Sequence, residues 1–271
     1  MFLPDTYPKT RVKPEPAIAT LVCGVSARVS GGGAGFHLDA HFRADTRRIA
    51  LFGPSGSGKS LTLMALAGLL RPDTGRIKVR GRVFLDTAAK VDVPARKRNV
   101  GLVFQDYALF PHLTVRQNVS FGLKPFLAPL GPAGRARVDE LLELCGLSAL
   151  ADRRPSQISG GQRQRTALAR ALAPEPDLLL LDEPFTALDQ PLRERMRAEL
   201  SRILERFDMP MVMVSHDLED VEHFAQTLVA FGRGRVLDVV DYEARRRTES
   251  ARQILDPLFL MAQTEPQEPS K

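Results

Sequence analysis

The chain has few cysteines, and their spacing excludes the usual metal and redox motifs. Its 271 residues include only Cys23 and Cys145, which lie far apart and among apolar residues. Cysteine-based metal and redox motifs need pairs of cysteines, or cysteine with histidine, at short spacing. An isolated cysteine among apolar residues is most often a small, buried, reduced side chain. We therefore expect two core thiols and a cytoplasmic location.

No stretch is long enough to cross a membrane, and the N-terminus does not resemble a secretory signal. The longest apolar run, residues 61–70, has ten residues, whereas a membrane helix needs about 20. Residues 1–16 contain charged side chains and four prolines, a composition that predicts an extended, disordered leader. If this protein acts at a membrane, we expect another chain to form the channel.

The sequence is basic, but it lacks the pattern of a nucleic-acid-binding surface. Lysine and arginine number 38 against 32 aspartates and glutamates, which gives a net charge of +6. No basic stretch is interleaved with aromatic residues in the way that an RNA-binding sheet requires. The simplest interpretation places the positive charges on solvated helix faces. We expect no nucleic-acid partner.

Strand and helix patterns alternate along the chain and predict an α/β fold. Alternating apolar residues on either side of the glycine-rich residues 31–35 predict two antiparallel strands. Strands that alternate with helices further along the chain favour a parallel sheet with helices on both faces. The predicted elements are a hairpin at 77–85, buried strands at 48–52, 100–104, 177–181 and 211–214, and helices at 61–70, within 111–173 and at 191–206. We expect the main domain to span residues 17–240 and a C-terminal tail to span 241–271.

A glycine-rich segment predicts a phosphate-binding loop. It reads Gly53-Pro54-Ser55-Gly56-Ser57-Gly58-Lys59-Ser60, which fits G-x-x-x-x-G-K-[ST] between a predicted strand and a predicted helix. Such a loop surrounds phosphate oxygens with backbone N–H groups, and the helix N-terminus adds its positive dipole end. Lys59 is expected to reach the β- and γ-phosphates, and Ser60 to ligate Mg²⁺. The sequence therefore predicts a site for ATP and Mg²⁺.

Two carboxylates follow the apolar segment 178–181. We expect this strand to be central in the sheet and to deliver Asp182 and Glu183 to its carboxyl edge, beside the phosphate loop. Asp182 is expected to hold Mg²⁺, and Glu183 to act as the general base that polarises the attacking water. The alternative is a strand that ends in two solvated acids, and the phosphate loop favours the first interpretation.

The segment Ile158-Ser159-Gly160-Gly161-Gln162 resembles the LSGGQ signature of the ABC ATPase family, with Ile158 in the leading position. Three further motifs are similar to that family and follow its order: Gln105 at the Q-loop, Ala187-Leu188-Asp189 at the D-loop, and His216 at the switch histidine. Alone, Gln105 and His216 would be ordinary polar residues. The resemblance covers about residues 51–217.

This resemblance implies a RecA-like P-loop NTPase core, an antiparallel β subdomain and a helical subdomain at about 106–165. It also implies that two chains enclose two ATP molecules head to tail, and that each signature serves the nucleotide of the other chain. The implied residues are Lys59, Gln105, Glu183 and His216 for catalysis, Ser60, Gln105 and Asp182 for the metal, and residues 53–60, Ser159, Gly160, Gly161, Gln162 and Asp189 for the nucleotide.

In this family the helical subdomain docks on membrane subunits. The resemblance implies a homodimer or a pair with a similar ATPase subunit, bound to integral-membrane permease subunits and, indirectly, to a substrate-binding protein. The implied location is peripheral, at the cytoplasmic face of the inner membrane. The candidate docking residues, which are equally well explained as core, are Tyr107, Leu109, Phe110, His112 and Leu113.

The closest resemblance is to the ATPase subunits of molybdate, tungstate and sulfate importers. It is carried by residues 51–59, 68–73, 105–112 and 182–189, which are also similar to importers of iron, polyamines or sugars. Many molybdate-type subunits carry a C-terminal oxyanion-sensing domain, and the roughly 55 residues after His216 predict a subunit without it. The family's adenine-stacking aromatic is absent from residues 27–30, and Phe36 is the nearest substitute.

Two other classes remain open at this point. A soluble ABC ATPase could act on DNA or ribosomes, but DNA-repair members have a long coiled coil before the signature and ribosome-acting members usually have two cassettes. Only about a hundred residues separate the phosphate loop from the signature here. A scaffold that binds nucleotide without turnover would not need both Glu183 and His216. A transport ATPase is therefore the leading hypothesis.

Overall fold

The computed structural model describes residues 20–29, 35–123, 130–186, 188–207 and 209–264, with side chains as far as residue 261. The predicted leader at 1–16 and Ala187 of the D-loop lie outside the described residues. Among the residues that the structure describes, no helix is both long and apolar enough to span a membrane.

The chain alternates strands and helices as the sequence predicts. The strands are β1 Leu21–Val29, β2 Phe36–Ala44, β3 Arg48–Phe52, β4 Thr74–Val79, β5 Arg82–Asp86, β6 Val91–Asp92, β7 Val100–Val103, β8 Leu178–Asp182, β9 Met211–Val214, β10 Thr227–Gly232 and β11 Arg235–Asp241. The helices are α1 Lys59–Ala67, α2 Ala95–Arg98, α3 Val115–Ser120, α4 Pro132–Leu144, α5 Gly160–Leu172, α6 Gln190–Phe207, α7 Leu218–Phe224, α8 Tyr242–Arg245 and α9 Ala251–Thr264.

The described strands form one sheet with a parallel part and an antiparallel part. Their order is β6-β5-β4-β1-β2-β11-β10-β3-β9-β8-β7. Strands β10, β3, β9, β8 and β7 pair in parallel, whereas β2, β1, β4, β5 and β6 pair antiparallel. The predicted α/β P-loop fold with an antiparallel β subdomain and a helical subdomain is confirmed. Strand β8 has a neighbour on each side, although it lies only one strand from the edge.

Burial explains why the two parts of the sheet differ in sequence. The apolar residues of β8 are buried on both faces: Leu178 and Leu180 pack in the cluster that contains α1, and Leu179 and Leu181 in the cluster that contains α4, α5 and α6. A strand covered on both faces is apolar throughout. Strand β1, in contrast, alternates buried and half-exposed residues over most of its length, as expected of a sheet with one wetter face.

The C-terminal segment packs on the sheet. Ile254, Leu255 and Leu258 of α9 are buried in a cluster with Phe52 of β3 and Leu228 of β10. The predicted tail at 241–271 thus includes two helices that the sequence analysis did not identify. Pro257 inside α9 masked the signal, since proline normally ends a helix.

The turn between β10 and β11 is hydrogen-bonded both to β2, in the antiparallel part of the sheet, and to the loop that follows β3. The Gly234 N–H donates to the Ser57 carbonyl at 3.0 Å, and the Gly234 carbonyl accepts from the Asp39 N–H at 2.6 Å. Gly234 has a φ of 85°, and a Cβ here would lie 2.0 Å from the His37 carbonyl oxygen. Only glycine fits this close approach.

Candidate nucleotide site

The loop between β3 and α1 has the backbone shape that the sequence predicts. Gly53 has a φ of 149°, and a Cβ there would lie 2.3 Å from the Phe231 carbonyl oxygen. The position therefore requires glycine. Helix α1 begins at Lys59, so its N-terminus faces the loop. Backbone N–H groups at such an N-terminus attract anions.

Lys59 is folded over this loop. Its Nζ donates to the carbonyl oxygens of Gly53 at 2.8 Å and Pro54 at 2.7 Å, and the residue is only 5% exposed. Burial lowers the pKa of Lys59, while Glu183 and Asp182 act in the opposite direction. A buried ammonium of this kind is stabilised by a nearby anion.

Ser60 and Asp182 meet at the carboxyl edge of the sheet. The Ser60 hydroxyl donates to Asp182 Oδ1 at 2.9 Å. Burial raises the pKa of Asp182 most; the Ser60 hydrogen bond opposes that effect, Glu183 adds to it, and Lys59 opposes it. The hydroxyl and carboxylate oxygens are the ligand types that Mg²⁺ prefers.

This pair fits a magnesium ion that takes its other ligands from elsewhere. Within the described ranges, histidine, cysteine, aspartate and glutamate nowhere form a group of three or more that could hold a metal. Mg²⁺ commonly binds through one or two protein oxygens together with substrate phosphates and water. The residues present therefore fit Mg²⁺ bound with a nucleotide.

Glu183 and His216 face each other at the same edge. Glu183 Oε1 lies 3.3 Å from His216 Nδ1, and Glu183 Oε2 accepts from the Thr186 hydroxyl at 3.2 Å. The Glu183 N–H donates to the Val214 carbonyl at 3.1 Å, which fixes the end of β8 to β9. The His216 side chain is 55% exposed and that of Glu183 only 19%. The arrangement presents a carboxylate that could accept a proton from water.

A cavity of about 310 Å³ brings eight of the predicted site residues together. Its lining residues are Phe36, Ser55, Gly56, Ser57, Gly58, Lys59, Ser60, Leu61, Gln105 and Glu183. Phe36 is half-buried and also packs against the core cluster beneath the antiparallel strands. Both sequence-based interpretations of Phe36, core residue and wall of the nucleotide site, therefore agree with its position.

The signature residues form the N-terminus of α5. Ser159 Oγ accepts from the Gln162 N–H at 3.3 Å, and Gln162 Oε1 accepts from the Ser159 N–H at 2.8 Å. This reciprocal pair is a capping box. The S-x-x-Q spacing in the sequence is a local signal for this capping box.

Asp189 likewise begins a helix. Its Oδ1 accepts from the Leu192 N–H at 3.0 Å at the start of α6. In the part of the chain that the structure describes, neither Asp189 nor residues 159–162 line the cavity beside the phosphate loop. The signature therefore lies outside the lining of this cavity.

The segment after Gln105 is part core and part surface. Tyr107 is buried, whereas His112 is exposed and Phe110 is half-buried. The Phe110 ring lies 4.2 Å, between centroids, from that of Phe121, which is 51% exposed. Of the candidate docking residues, Tyr107 belongs to the core. Leu109 and Leu113 are also half-buried.

Sequence reasoning missed a group of charges next to His216. Arg193 and Arg197 of α6 pair with Asp217 and Asp220, which flank the start of α7. The four-residue spacing of the two arginines on a predicted helix is the only local signal, and it does not identify their partners.

The sequence is similar to proteins of one known family. The family model described as ABC transporter matches residues 40–186, more than half of the chain. The sulfate/thiosulfate import ATP-binding protein CysA of Synechocystis sp. is 49% identical over 195 residues, which cover 72% of this chain and 53% of that protein. The molybdenum import ATP-binding protein ModC of Rhodospirillum rubrum is 42% identical over 221 residues, covering 77% and 59%. The chain thus spans little more than half the length of these relatives.

A solved structure shares the fold. The dimeric ATP-binding cassette MJ0796, in a post-hydrolysis state with ADP and Pi, superposes with a TM-score of 0.67 at 30% identity, covering 82% of this chain and 98% of that one. Its fold and the residues at the carboxyl edge of the sheet lead to the same assignment as the family match. The chain belongs to the ABC transporter family and has the fold of its ATP-binding cassettes.

Proposed function

We propose that this chain is the ATP-binding and ATP-hydrolysing motor subunit of an importer. The observation that carries the proposal is the cluster of Ser60, Asp182, Glu183 and His216 at one sheet edge, beside the phosphate loop. A loop alone would support binding. The carboxylate–histidine pair supports turnover, because hydrolysis needs a group that positions water and accepts its proton.

Each residue has a distinct task in this proposal. Lys59 leaves the loop carbonyls and binds the β- and γ-phosphates. Glu183 orients the attacking water and accepts its proton, and His216 contacts the γ-phosphate. Ser60, Asp182 and Gln105 would hold Mg²⁺, which neutralises charge on the phosphate oxygens. Removal of the γ-phosphate then takes away the group on which His216 and Gln105 act.

The working form in this proposal is a head-to-tail homodimer, or a pair with a similar ATPase subunit. Residues 53–60 bind the phosphates within one chain, and Ser159, Gly160, Gly161, Gln162 and Asp189 complete the site of the partner. Two observations support it: the signature does not line the chain's own cavity, and the similar cassette MJ0796 is described as dimeric.

At the membrane, the dimer would lie on the cytoplasmic face and drive integral-membrane permease subunits that receive solute from a substrate-binding protein. The half-exposed aromatic pair Phe110 and Phe121 supports the helical subdomain as the contact, since exposed apolar patches often mark interfaces. The solute in this proposal is an oxyanion such as sulfate, molybdate or tungstate. The names of the CysA and ModC relatives support that class.

The test is steady-state ATP hydrolysis by the purified chain and two variants. We expect Glu183→Gln to bind ATP but to hydrolyse it about 100-fold or more slowly, because the amide cannot accept a proton. It should also accumulate as an ATP-bound dimer in size-exclusion chromatography. Lys59→Ala should weaken ATP binding at least about tenfold, since a charge-assisted contact is lost.

Glu143→Gln is the matched control for the acidic variant, since Glu143 is exposed on α4 and does not line the cavity. Its turnover should equal that of the parent. Parent-like hydrolysis by Glu183→Gln would remove Glu183 as the base. A parent chain that binds ATP without turnover, alone and with its membrane partners, would reject the motor proposal.

A further inference from the structure

Helix α6 presents one polar face to the turn that carries His216. Gln190, Arg193 and Arg197 are spaced three and four residues apart, which places them on the same side of a helix. That side faces the N-terminus of α7, where Asp217, Glu219 and Asp220 lie within contact distance.

The contacts are short and numerous. Arg193 Nη1 donates to Asp217 Oδ2 at 2.6 Å. Arg197 Nε donates to Asp220 Oδ1 at 2.6 Å, and its Nη1 donates to Glu219 Oε2 at 2.6 Å. Two arginines thus hold three carboxylates at the start of one short helix.

These carboxylates fix the backbone on both sides of His216. Ser215 Oγ donates to Asp220 Oδ2 at 2.7 Å and accepts from the Asp217 N–H at 3.0 Å. Asp217 Oδ1 caps α7 by accepting from the Glu219 N–H at 2.9 Å. His216 itself projects from between these anchored neighbours toward Glu183.

Stability alone gives a weak reason for this network. Arg197 is 5% exposed, and Asp220 and Ser215 are each 3% exposed. Burial raises the pKa of Asp220 against the opposing hydrogen bonds from Ser215 and Arg197, so its charge is held at a cost. Apolar side chains of similar volume often stabilise a fold as well as a buried ion pair does. The directional bonds set the position of the turn, which apolar packing would not do.

The same helix also reaches the two segments that meet the partner in the proposed dimer. Helix α6 begins directly after Asp189, and a Cβ on Gly161 of the signature would lie 2.9 Å from Leu192 Cδ1. The first two turns of α6 therefore touch the signature, the D-loop and the His216 turn.

We propose that Arg193 and Arg197 are positioning residues that fix the His216 turn to α6 and make the placement of His216 depend on the placement of Asp189 and the signature. The proposal rests on the motor function proposed above. Neither arginine lines the cavity beside the phosphate loop; both act through Asp217, Asp220 and Ser215. Their loss should therefore slow hydrolysis and leave ATP binding nearly unchanged.

The experiment measures kcat and KM for ATP hydrolysis, with melting temperature, in four variants. We expect Arg193→Met and Arg197→Met to lower kcat about 10- to 100-fold, because small misplacements of a catalytic group have effects of this size, with KM within about threefold. Arg193→Lys should recover part of the kcat lost in Arg193→Met, because the lysine keeps the charge beside Asp217. Arg195→Met, exposed on the other side of α6, is the control and should match the parent.

A double variant separates positioning from folding. Arg197→Met alone leaves Asp220 buried without its cation and is expected to melt earlier. Arg197→Met with Asp220→Leu replaces the buried pair by apolar groups and should recover the melting temperature while kcat stays low. Recovery of kcat together with the melting temperature would overturn the proposal, as would parent-like kcat in both arginine-to-methionine variants. A parent without turnover would remove the motor function itself and this inference with it.

Discussion

Glu183 combines a strained backbone with a largely buried side chain. Its φ of 45° lies in the left-handed region that glutamate rarely adopts, at a cost of about 1–3 kcal/mol. The hydrogen bond from its N–H to the Val214 carbonyl holds the backbone in place. The carboxylate of this residue lies 3.3 Å from His216 Nδ1.

The neighbouring Asp182 gives a pH-dependent test of the site's electrostatics. Because the folded chain raises the pKa of Asp182 above its ordinary value of 3.8, the folded state binds more protons than the unfolded state between these two values. The contribution of Asp182 to stability therefore falls as the pH rises through that window. An asparagine at position 182 can accept the hydrogen bond from the Ser60 hydroxyl but does not titrate.

We expect Asp182→Asn to melt at a higher temperature than the nucleotide-free parent at pH 8, and this difference to shrink at pH 5. Thermal unfolding at the two pH values measures it. Asp152→Asn, at an exposed position, should show no such pH-dependent difference. If the difference in melting temperature became larger at pH 5, it would contradict the upward direction of the Asp182 pKa shift. The Asp182→Asn variant should lose ATP hydrolysis although it melts at a higher temperature at pH 8.

At the scale of the element, the start of α5 serves two purposes with the same residues. Ser159 and Gln162 satisfy the helix N-terminus through their capping box. The two glycines between them differ: a Cβ on Gly161 would lie 2.9 Å from Leu192, whereas a Cβ on Gly160 would meet no atom nearer than 3.8 Å. An alanine at position 161 would therefore displace the Leu192 side chain. A Cβ on Gly160 would make only ordinary van der Waals contacts within the chain. In the proposed dimer, this position faces the partner's nucleotide.

Alanine at each glycine distinguishes these roles. We expect Gly160→Ala to melt at or above the parent temperature, since alanine favours the helix by up to about 1 kcal/mol, and to bind ATP normally as a monomer. Gly161→Ala should melt below Gly160→Ala, because Leu192 must move. ATP-dependent dimerisation, measured by analytical ultracentrifugation in Glu183→Gln protein, should weaken in Gly160→Ala. Unchanged dimerisation there would place the partner's nucleotide elsewhere.

Elements that are encoded locally could be predicted, and those that depend on distant partners could not. The apolar segment 178–181 and the loop at 53–60 carry their own signals, and both lie where the sequence indicates. The pairing of Arg197 with Asp220 spans 23 residues and depends on how two helices pack, which no local pattern reveals. Helix α9 was missed because its proline argued against its apolar spacing.

At the scale of the whole molecule, one sheet holds both the residues proposed for ATP hydrolysis and the antiparallel subdomain. The parallel strands deliver these proposed residues to one edge, and β2 brings Phe36 to the cavity there. The sequence could indicate each part but not their distance from one another. That distance depends on the order of strands that are far apart in the chain.

The importer proposal has a cellular test. We expect cells that lack this chain to accumulate less sulfur, molybdenum or tungsten, with iron unchanged, because the proposed solute is an oxyanion. Elemental analysis of cells grown with limiting amounts of each element measures this. The parent chain should restore accumulation and Glu183→Gln should not.

Glu143→Gln again serves as the control and should restore accumulation like the parent. A decrease in cellular iron alone would indicate that the chain serves another class of importer. Unchanged levels of all four elements would rule out an oxyanion as the transported solute. The proposal of ATP hydrolysis would still depend on its own test.

The turn at Gly234 affects which substitutions around the cavity are compatible with its shape. Main-chain hydrogen bonds connect Ser57 to Gly234 and Gly234 to Asp39. Peptide groups therefore link the phosphate loop, which lines the cavity, to strand β2, which carries Phe36 on another side of it. Peptide groups are the same whatever side chains the residues carry. The width of the cavity can therefore persist while the side chains around it diverge, provided that position 234 remains glycine.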